Sequence, residues 1–468
     1  MGAAAPTPAV PNHHDGNGII HIVGAGLSGL ACAVRLVSQN PDSARHIHLY
    51  EGANHAGGRC RTFHDSTLDC EIDNGNHLMM AANTAVLEYA GILGTTDTLV
   101  GPPETVFPFV DLQHKSVWAL RPNAGRVPWW MLVPSRRVPN TSISEYLDGV
   151  RLMRAGPERT VSETMSERGE LWRSLWEPLT IGVLNASPDE GSASLLGRVF
   201  KETFGKGGAA CKPIVAATGL SHSLIDPAIA YLKAAGVTLH FGARLKALQS
   251  SEPSEDQSQR PPLKSLRFAD RDVSFGAKDH LVAALPCPVT AALIPSLTLS
   301  DETRAIVNLH FRLPSAPVLD NQHGMPVPVI GMVGSVAQWL FIRDEIVSVT
   351  ISAADALAQK SADEIARMVW NEVAQALEML SAENLQLTSD LRQRQEIPPV
   401  RIVKEKRATF LQTPEIVSAR PKTDSAGEHI TLAGDWTDTG LPATIEGSIR
   451  SGFAAADRVL SQTKSKSK

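Results

Sequence analysis

The stretch GIIHIVGAGLSGLACAVRLV, residues 18–37, decides the fold. Ile19, Ile20, Ile22 and Val23 make a short apolar run of the buried-strand kind. Gly24, Gly26 and Gly29 then supply G-x-G-x-x-G where a strand must turn into a helix. Leu27, Leu30, Ala31, Val34 and the Leu36/Val37 pair recur at helical spacing. The glycines answer three demands: a tight turn, close backbone approach to a pyrophosphate, and close packing of helix on strand. The helix N-terminus, opened by Leu27 and Ser28, points its free N–H groups at the phosphates.

The next strand is HIHLYEG, residues 46–52, and it ends in Glu51. That carboxylate lies about 20 residues beyond Gly29, the spacing at which an acid takes the two ribose hydroxyls of an adenine nucleotide. It would also repel a 2′-phosphate, which disfavours NADP. EGANHAGGRCRT, residues 51–62, follows at once, with Gly57, Gly58 and Arg59. A second glycine pair and an arginine bring more N–H groups and a fixed cation to the same diphosphate.

Composition bounds the rest. The 468 residues are 43% hydrophobic and 20% charged, an ordinary globular make-up long enough for two domains. Lys and Arg number 44 against 49 Asp and Glu, a net charge of −5, so nucleic acid is excluded as a partner. Cys32, Cys60, Cys70, Cys211 and Cys287 are scattered and form no C-x-x-C pair, which points to a reducing compartment without a structural metal site. Residues 1–17 read as a disordered leader without signal-peptide character, and no apolar run is long enough to span a bilayer. The expected location is cytoplasmic, with room for peripheral contact at the inner membrane face. VPWWMLVPSRRVPN, residues 127–140, combines an apolar wedge with two arginines; it reads equally as a membrane-surface contact or as a proline-broken core segment.

The Rossmann loop, the ribose glutamate and G-G-R-x-x-T, completed by Thr62, resemble the fingerprint of the flavin amine oxidase and phytoene desaturase superfamily. The resemblance implies FAD as cofactor. Near the far end, AGDWTDTGLPATIEGSIRSG, residues 433–452, is similar to the segment on which that superfamily returns to the cofactor. Gly434 and Asp435 would meet the ribityl or diphosphate part. Beyond the turn, Thr444 and Ile445 would open a helix aimed at the flavin ring, with Glu446 and Gly447 in the same cluster. Ile445, Ile449, Gly452, Phe453 and Ala456 form its buried stripe. GVTLHFGARLKAL, residues 236–248, resembles the strand that brackets the adenine, with Leu245 against the cofactor, and HLVAALPCPVT, residues 280–290, resembles a strand ending in an Ala-x-Pro turn. The implied fold is α/β: a Rossmann-like FAD-binding domain from residues 18–95, 210–300 and 400–460, and an α+β substrate domain from 96–209 and 301–399. A solvated hairpin loop is expected at 250–262, and a disordered tail at 461–468.

Four blocks narrow the resemblance. EIDNGNH (71–77), ATGLSHSLIDPA (217–228), KEKRATF (404–410) and the 433–452 segment together look like the squalene-associated FAD-dependent desaturases, the hydroxysqualene dehydroxylase family. That family removes the allylic hydroxyl of hydroxysqualene reductively to give squalene on the hopanoid route, with hydride from reduced flavin N5. The implied substrate is a long apolar isoprenoid, which needs a dry, apolar cavity. Asp73 and His77 are the candidates for the acid that helps the hydroxyl leave, and Asn76 for a cofactor contact. Lys404, Lys406 and Arg407 either neutralise charge near the flavin or form a solvated face. Nothing in the sequence identifies the electron donor. A carotenoid-type desaturase shares fold and substrate type; an amine oxidase commonly frames its nitrogen with an aromatic cage, for which Tyr50, Tyr89, Tyr146 and Tyr231 are ill placed, leaving Trp436 as one wall. A non-catalytic flavin-binding protein is the remaining alternative.

Overall fold

The computed structural model describes residues 18–165, 169–251, 262–320, 324–393 and 396–465. The expected leader at 1–17, most of the expected loop at 250–262 and the last three residues lie outside the described residues.

The opening stretch forms strand β1 (Ile20–Val23) and helix α1 (Leu27–Gln39), followed by β2 (Ile47–Tyr50). β1 and β2 lie parallel in a five-stranded sheet whose order is Thr238–His240, β2, β1, His280–Ala283, Ile430–Leu432. Three distant parts of the chain thus meet in one parallel sheet, and both of its faces are covered, as parallel sheets require. Ile20, Ile22, Ile47, Leu49 and Val282 pack beneath α1 and the C-terminal helix Ile445–Ser465. On the alternate positions, Val23, Tyr50 and Leu281 pack against a three-stranded meander that includes Leu266, Phe268 and Val273. A fully buried Leu or Ile in these layers contributes about 1.5–3 kcal/mol relative to exposure.

Hairpin β3 (Thr62–Asp65) and β4 (Cys70–Asp73) carries the chain out of this layer. A seven-stranded sheet forms the second core, in the order Val400–Phe410, Thr303–Arg312, Ile346–Ile351, Trp339–Arg343, Val329–Val333, Phe107–Asp111, Ser116–Leu120. Helix Ala362–Leu380 lays Ile365, Val369, Val373 and Leu377 over it, four residues apart and all buried.

Three expectations change here. Val400–Phe410 is the edge strand of the second sheet, paired along Thr303–Arg312, so it leaves the cofactor layer to which sequence reading assigned it. Residues 236–248 make two strands rather than one: Thr238–His240 joins the parallel sheet, and Leu245–Ser250 turns away to pair with Leu263–Phe268. The tail is helical as far as Ser465, because the stripe that begins at Ile445 continues through Phe453, Ala456 and Val459 against the core.

Candidate cofactor site

The β1–α1 turn places Gly24, Gly26, Leu27, Ser28 and Gly29 at the carboxyl edge of the parallel sheet, where open α/β sheets bind ligands. Gly24 has a φ of +111°, and a Cβ there would lie 2.2 Å from the Ala284 carbonyl oxygen. Gly26 is the opposite case: a Cβ there would meet nothing within 4 Å. No protein contact explains that glycine, and the space before it lies at the N-terminus of α1, which has neither an acidic residue in its first turn nor a side-chain cap. Uncapped amides with open space before them fit a diphosphate. Gly57 pairs with this turn, its N–H donating to the Ala25 carbonyl at 2.8 Å, and Gly58 follows beside Gly26.

Glu51 sits at the end of β2, where its carboxylate accepts the amides of Ala25 at 2.8 Å and Ala53 at 2.9 Å. It is therefore fixed beside the turn, as a ribose-binding acid must be. Arg59 donates to Asp435 Oδ2 at 2.8 Å, across 376 residues of chain, and to the Ala408 carbonyl. Asp435 is 8% exposed in its side chain and Arg59 43%, so the pair spans the wall of the site. The Asp435 carboxylate is the main influence holding the Arg59 guanidinium's pKa above its usual range.

The four blocks converge. Asp73 Oδ1 accepts from Thr62 Oγ1 at 2.7 Å and from the Leu220 amide at 2.9 Å, and Ser221 exchanges hydrogen bonds with Thr62. Arg343 stands 3.7 Å from Oδ2. Burial raises the Asp73 carboxyl's pKa, and these donors oppose the rise. Asp73 thus pins the 217–228 block to the hairpin. His77 is half-buried, with the Cys60 sulfur 3.8 Å from its Nε2. Burial, then the Arg59 charge, pulls its pKa down to about 4, so the ring is neutral near pH 7. Asn76 faces the second sheet: its amide donates to Thr350 Oγ1 at 3.3 Å, and Thr350 donates to Asn308 Oδ1 at 2.8 Å.

Gly434 donates to Ser451 Oγ at 2.9 Å. Thr444 accepts the Gly447 amide at 3.1 Å and so closes the first turn of the last helix, with Ile445 buried behind it. Leu245 is buried against Tyr50 and Phe268 beneath the sheet. Glu446 departs from the expected cluster: its carboxylate accepts the amides of Ala85 at 3.1 Å and Val86 at 3.0 Å, capping helix α2 (Thr84–Leu93). Lys406 and Arg407 are exposed and Lys404 donates to the Lys360 carbonyl at the surface, so this basic run is a solvated face. Trp436 is buried with its indole N–H on the Leu285 carbonyl at 2.9 Å. Tyr50, Tyr89 and Tyr146 are buried in core clusters and Tyr231 packs against one, which leaves no tyrosine to frame an amine.

One residue escaped the sequence reading. Arg420 is 8% exposed and threads the Asp435–Leu441 loop, donating to the carbonyls of Leu441 at 2.7 Å, Asp435 at 2.9 Å, Trp436 at 3.4 Å and Thr437, and to Thr439 Oγ1 at 3.2 Å. Its guanidinium lies 5.1 Å above the Phe410 ring. Its only sequence cue is a basic residue before Pro421, near a loop rich in Thr and Gly. Elsewhere, Asp111, His114 and Glu170 approach one another as metal ligands would, but Arg173 hydrogen-bonds to all three. They form an ion cluster.

Residues 27–460 match the family model described as flavin containing amine oxidoreductase. The chain is 40% identical over 444 residues to the hydroxysqualene dehydroxylase of Sinorhizobium fredii, covering 95% of this chain and 99% of that one. It is also 40% identical over 442 residues to that of Rhodopseudomonas palustris, covering 94% and 98%. Among solved structures, cyclohexylamine oxidase from Brevibacterium oxydans superposes with a TM-score of 0.63 at 15% identity, over 96% of this chain and 100% of the other, a likeness of fold. The chain belongs to the flavin-containing amine oxidoreductase family and, within it, groups with the hydroxysqualene dehydroxylases.

Proposed function

We propose that this protein is an FAD-dependent hydroxysqualene dehydroxylase, which removes the allylic hydroxyl of hydroxysqualene and yields squalene. The observation that carries the reading is the near-full-length likeness to enzymes of that name, on a chain whose four diagnostic blocks close around one site. FAD rather than a smaller flavin is supported by two features: the open cradle before Gly26, and Glu51 held where an adenosine ribose would sit.

In this reading Gly26, Leu27, Ser28, Gly29 and the Gly57/Gly58 pair hold the diphosphate with backbone amides. Arg59 and Asp435 bound it on the other side, Leu245 brackets the adenine end, and Gly434, Thr444 and Ile445 line the flavin end. The reduced cofactor, when bound, supplies the hydride that the substrate carbon accepts. His77, in the small protonated fraction that its lowered pKa leaves near neutral pH, delivers the proton that lets the hydroxyl depart as water. Asp73 and Asn76 act through position: one fixes the 217–228 block, the other ties the cofactor layer to the second sheet.

The test is anaerobic single turnover. Flavin-loaded, photoreduced protein is mixed with hydroxysqualene, and products are extracted while the flavin spectrum is followed. Squalene should appear in step with flavin oxidation. Flavin that stays reduced, with hydroxysqualene recovered intact, overturns the reading; turnover of phytoene or of amines by oxidised protein would reassign it.

A further inference from the structure

We infer that the surface built by residues 126–159 is a docking face for a membrane that carries anionic phospholipids. Six of the twelve exposed large apolar side chains among the described residues fall between positions 127 and 150: Val127, Trp129, Leu132, Ile143, Leu147 and Val150. Val127 is 74% exposed, Leu132 65% and Leu147 57%, an unusual cost for a surface that faces only water.

The local packing explains why they point outward together. Trp130 and Tyr146 are the inward residues of two short 3-10 turns, Trp129–Leu132 and Ile143–Leu147, and their rings meet edge to face at 5.5 Å. The Val138 amide donates to the Tyr146 hydroxyl at 3.0 Å and closes the unit. With those two rings turned in, their neighbours on each tight turn are turned out. Helix Asp148–Met153 continues the same edge and exposes Val150. Beside it opens a groove of about 570 Å³ whose rim includes Leu147, Val150, Arg151, Arg154 and Arg159.

Charge selects the occupant. Between 121 and 159 the chain has seven arginines (121, 126, 136, 137, 151, 154, 159) against three acids (145, 148, 158), within a protein of net charge −5. The Arg136 guanidinium lies 5.1 Å above the Trp129 ring, an amphipathic pair suited to the headgroup level. Apolar tips with guanidinium groups beside them, Arg136 at Trp129 and Arg151, Arg154 and Arg159 against the single acid Glu163 at the Leu147/Val150 groove, match acyl chains beneath anionic headgroups. A second copy meeting the same patch across a two-fold axis would set arginine against arginine. A nucleic acid would leave the apolar tips in water. No helix among the described residues is long and apolar enough to cross a membrane, so the contact lies on the surface. This inference rests on surface chemistry alone and is separate from the substrate assigned above.

The full flavin-loaded chain is floated with phosphatidylcholine vesicles, with and without about a third of the lipid replaced by phosphatidylglycerol. Wild type should float several-fold more with the anionic vesicles and be released by high salt. Val127→Ser/Leu132→Ser/Leu147→Ser should lower binding about tenfold, and Arg154→Gln/Arg159→Gln should erase most of the preference for anionic lipid. Melting temperature and flavin content verify that each variant folds; Leu132→Ser alone serves if the triple variant does not. Absence of wild-type flotation, or equal flotation of all proteins, overturns the inference. So does sedimentation showing a wild-type dimer that the triple variant lacks, without vesicle binding. Squalene formation from detergent-dispersed substrate should survive in the triple variant, which separates loss of docking from failure of the catalytic reading.

Discussion

At the scale of single residues, Asp73 and His77 were paired in sequence as candidate acids, and their surroundings separate them. Asp73 already accepts from Thr62 and Leu220, so Asp73→Asn should lower stability and flavin retention through the loss of those bonds, with the chemical step largely kept in protein that retains flavin. His77→Ala should keep flavin and lose about 10²–10⁴-fold in the chemical step, measured by single turnover. With its pKa pulled down to about 4, the imidazolium population falls tenfold per pH unit above that value. Single-turnover rates should therefore climb as pH drops from 8 toward about 5 in wild type and lose this slope in His77→Ala. Arg420 carries a different prediction. Burial pulls its pKa down to about 10, which still leaves it charged at neutral pH, with five oxygen acceptors in one loop. Lysine has three donors on one nitrogen and cannot span them, so Arg420→Lys should cost roughly 2–5 kcal/mol in denaturant unfolding. It should also release flavin, because the loop begins at Asp435.

Within elements, the parallel sheet carries an unusual load on the face opposite its helices. His21, His48, Tyr50 and His240 lie there, with Tyr50 stacked on His240 at 4.5 Å. Arg271 donates to His240 Nδ1 at 3.0 Å, so His240 carries its proton on Nε2 and donates to His48 Nδ1, also at 3.0 Å. A proton on His48 Nδ1 would set N–H against N–H. Burial accordingly pulls His48 down to about 3 and His240 to about 4, from an ordinary 6.5. Both folded-state values lie below the unfolded one, so the unfolded chain binds more protons as pH falls. The stability these two rings contribute is constant above about 6.5 and declines below it, by an amount on the order of a few kcal/mol near pH 4. Thermal melts across pH 7.5 to 4 should show this decline, and His48→Gln/His240→Gln should make it clearly shallower without abolishing it, since His77 and the buried His310 are lowered to about 4 as well, even if its melting temperature is lower at neutral pH. An equally steep decline in that variant would move the acid lability elsewhere. The histidines stood in plain sight in HIHLYEG, yet a strand's alternation says which residues share a face and not which ring from residue 240 arrives beside them. The β1–α1 turn was legible for the converse reason: close backbone approach leaves glycine as the only choice, so the constraint is written at the residue that bears it. Glu446 was misread because its partners, the amides of α2, have no side-chain signature.

For the whole molecule, segments far apart in sequence share one wall. Arg59 meets Asp435, Arg35 pairs with Asp457, and the Gly452 position lies so close to α1 that a Cβ would fall 2.2 Å from the Ser28 carbonyl oxygen. The cofactor layer was legible because each segment carries its own dense motif. The edge strand Val400–Phe410 was not, because its pairing along Thr303–Arg312 is a matter of backbone register that the KEKRATF block does not encode. A dinucleotide lying from Glu51 to the Asp435 loop would bridge the first and last parts of the parallel sheet and so stabilise the molecule as a unit. Apoprotein titrated with FAD should gain about 2.7 kcal/mol at a free concentration one hundred times the dissociation constant, read as a rise in melting temperature. ADP would engage the Gly26 cradle and Glu51 without the C-terminal loop, and FMN would do the reverse. At the same concentration each should give only a small part of the shift, and the two together should fall short of FAD, because binding the second fragment carries its own association cost. If FMN alone matched FAD, the adenosine half of the site would have no energetic role, and Glu51 and the Gly26 cradle would need another explanation.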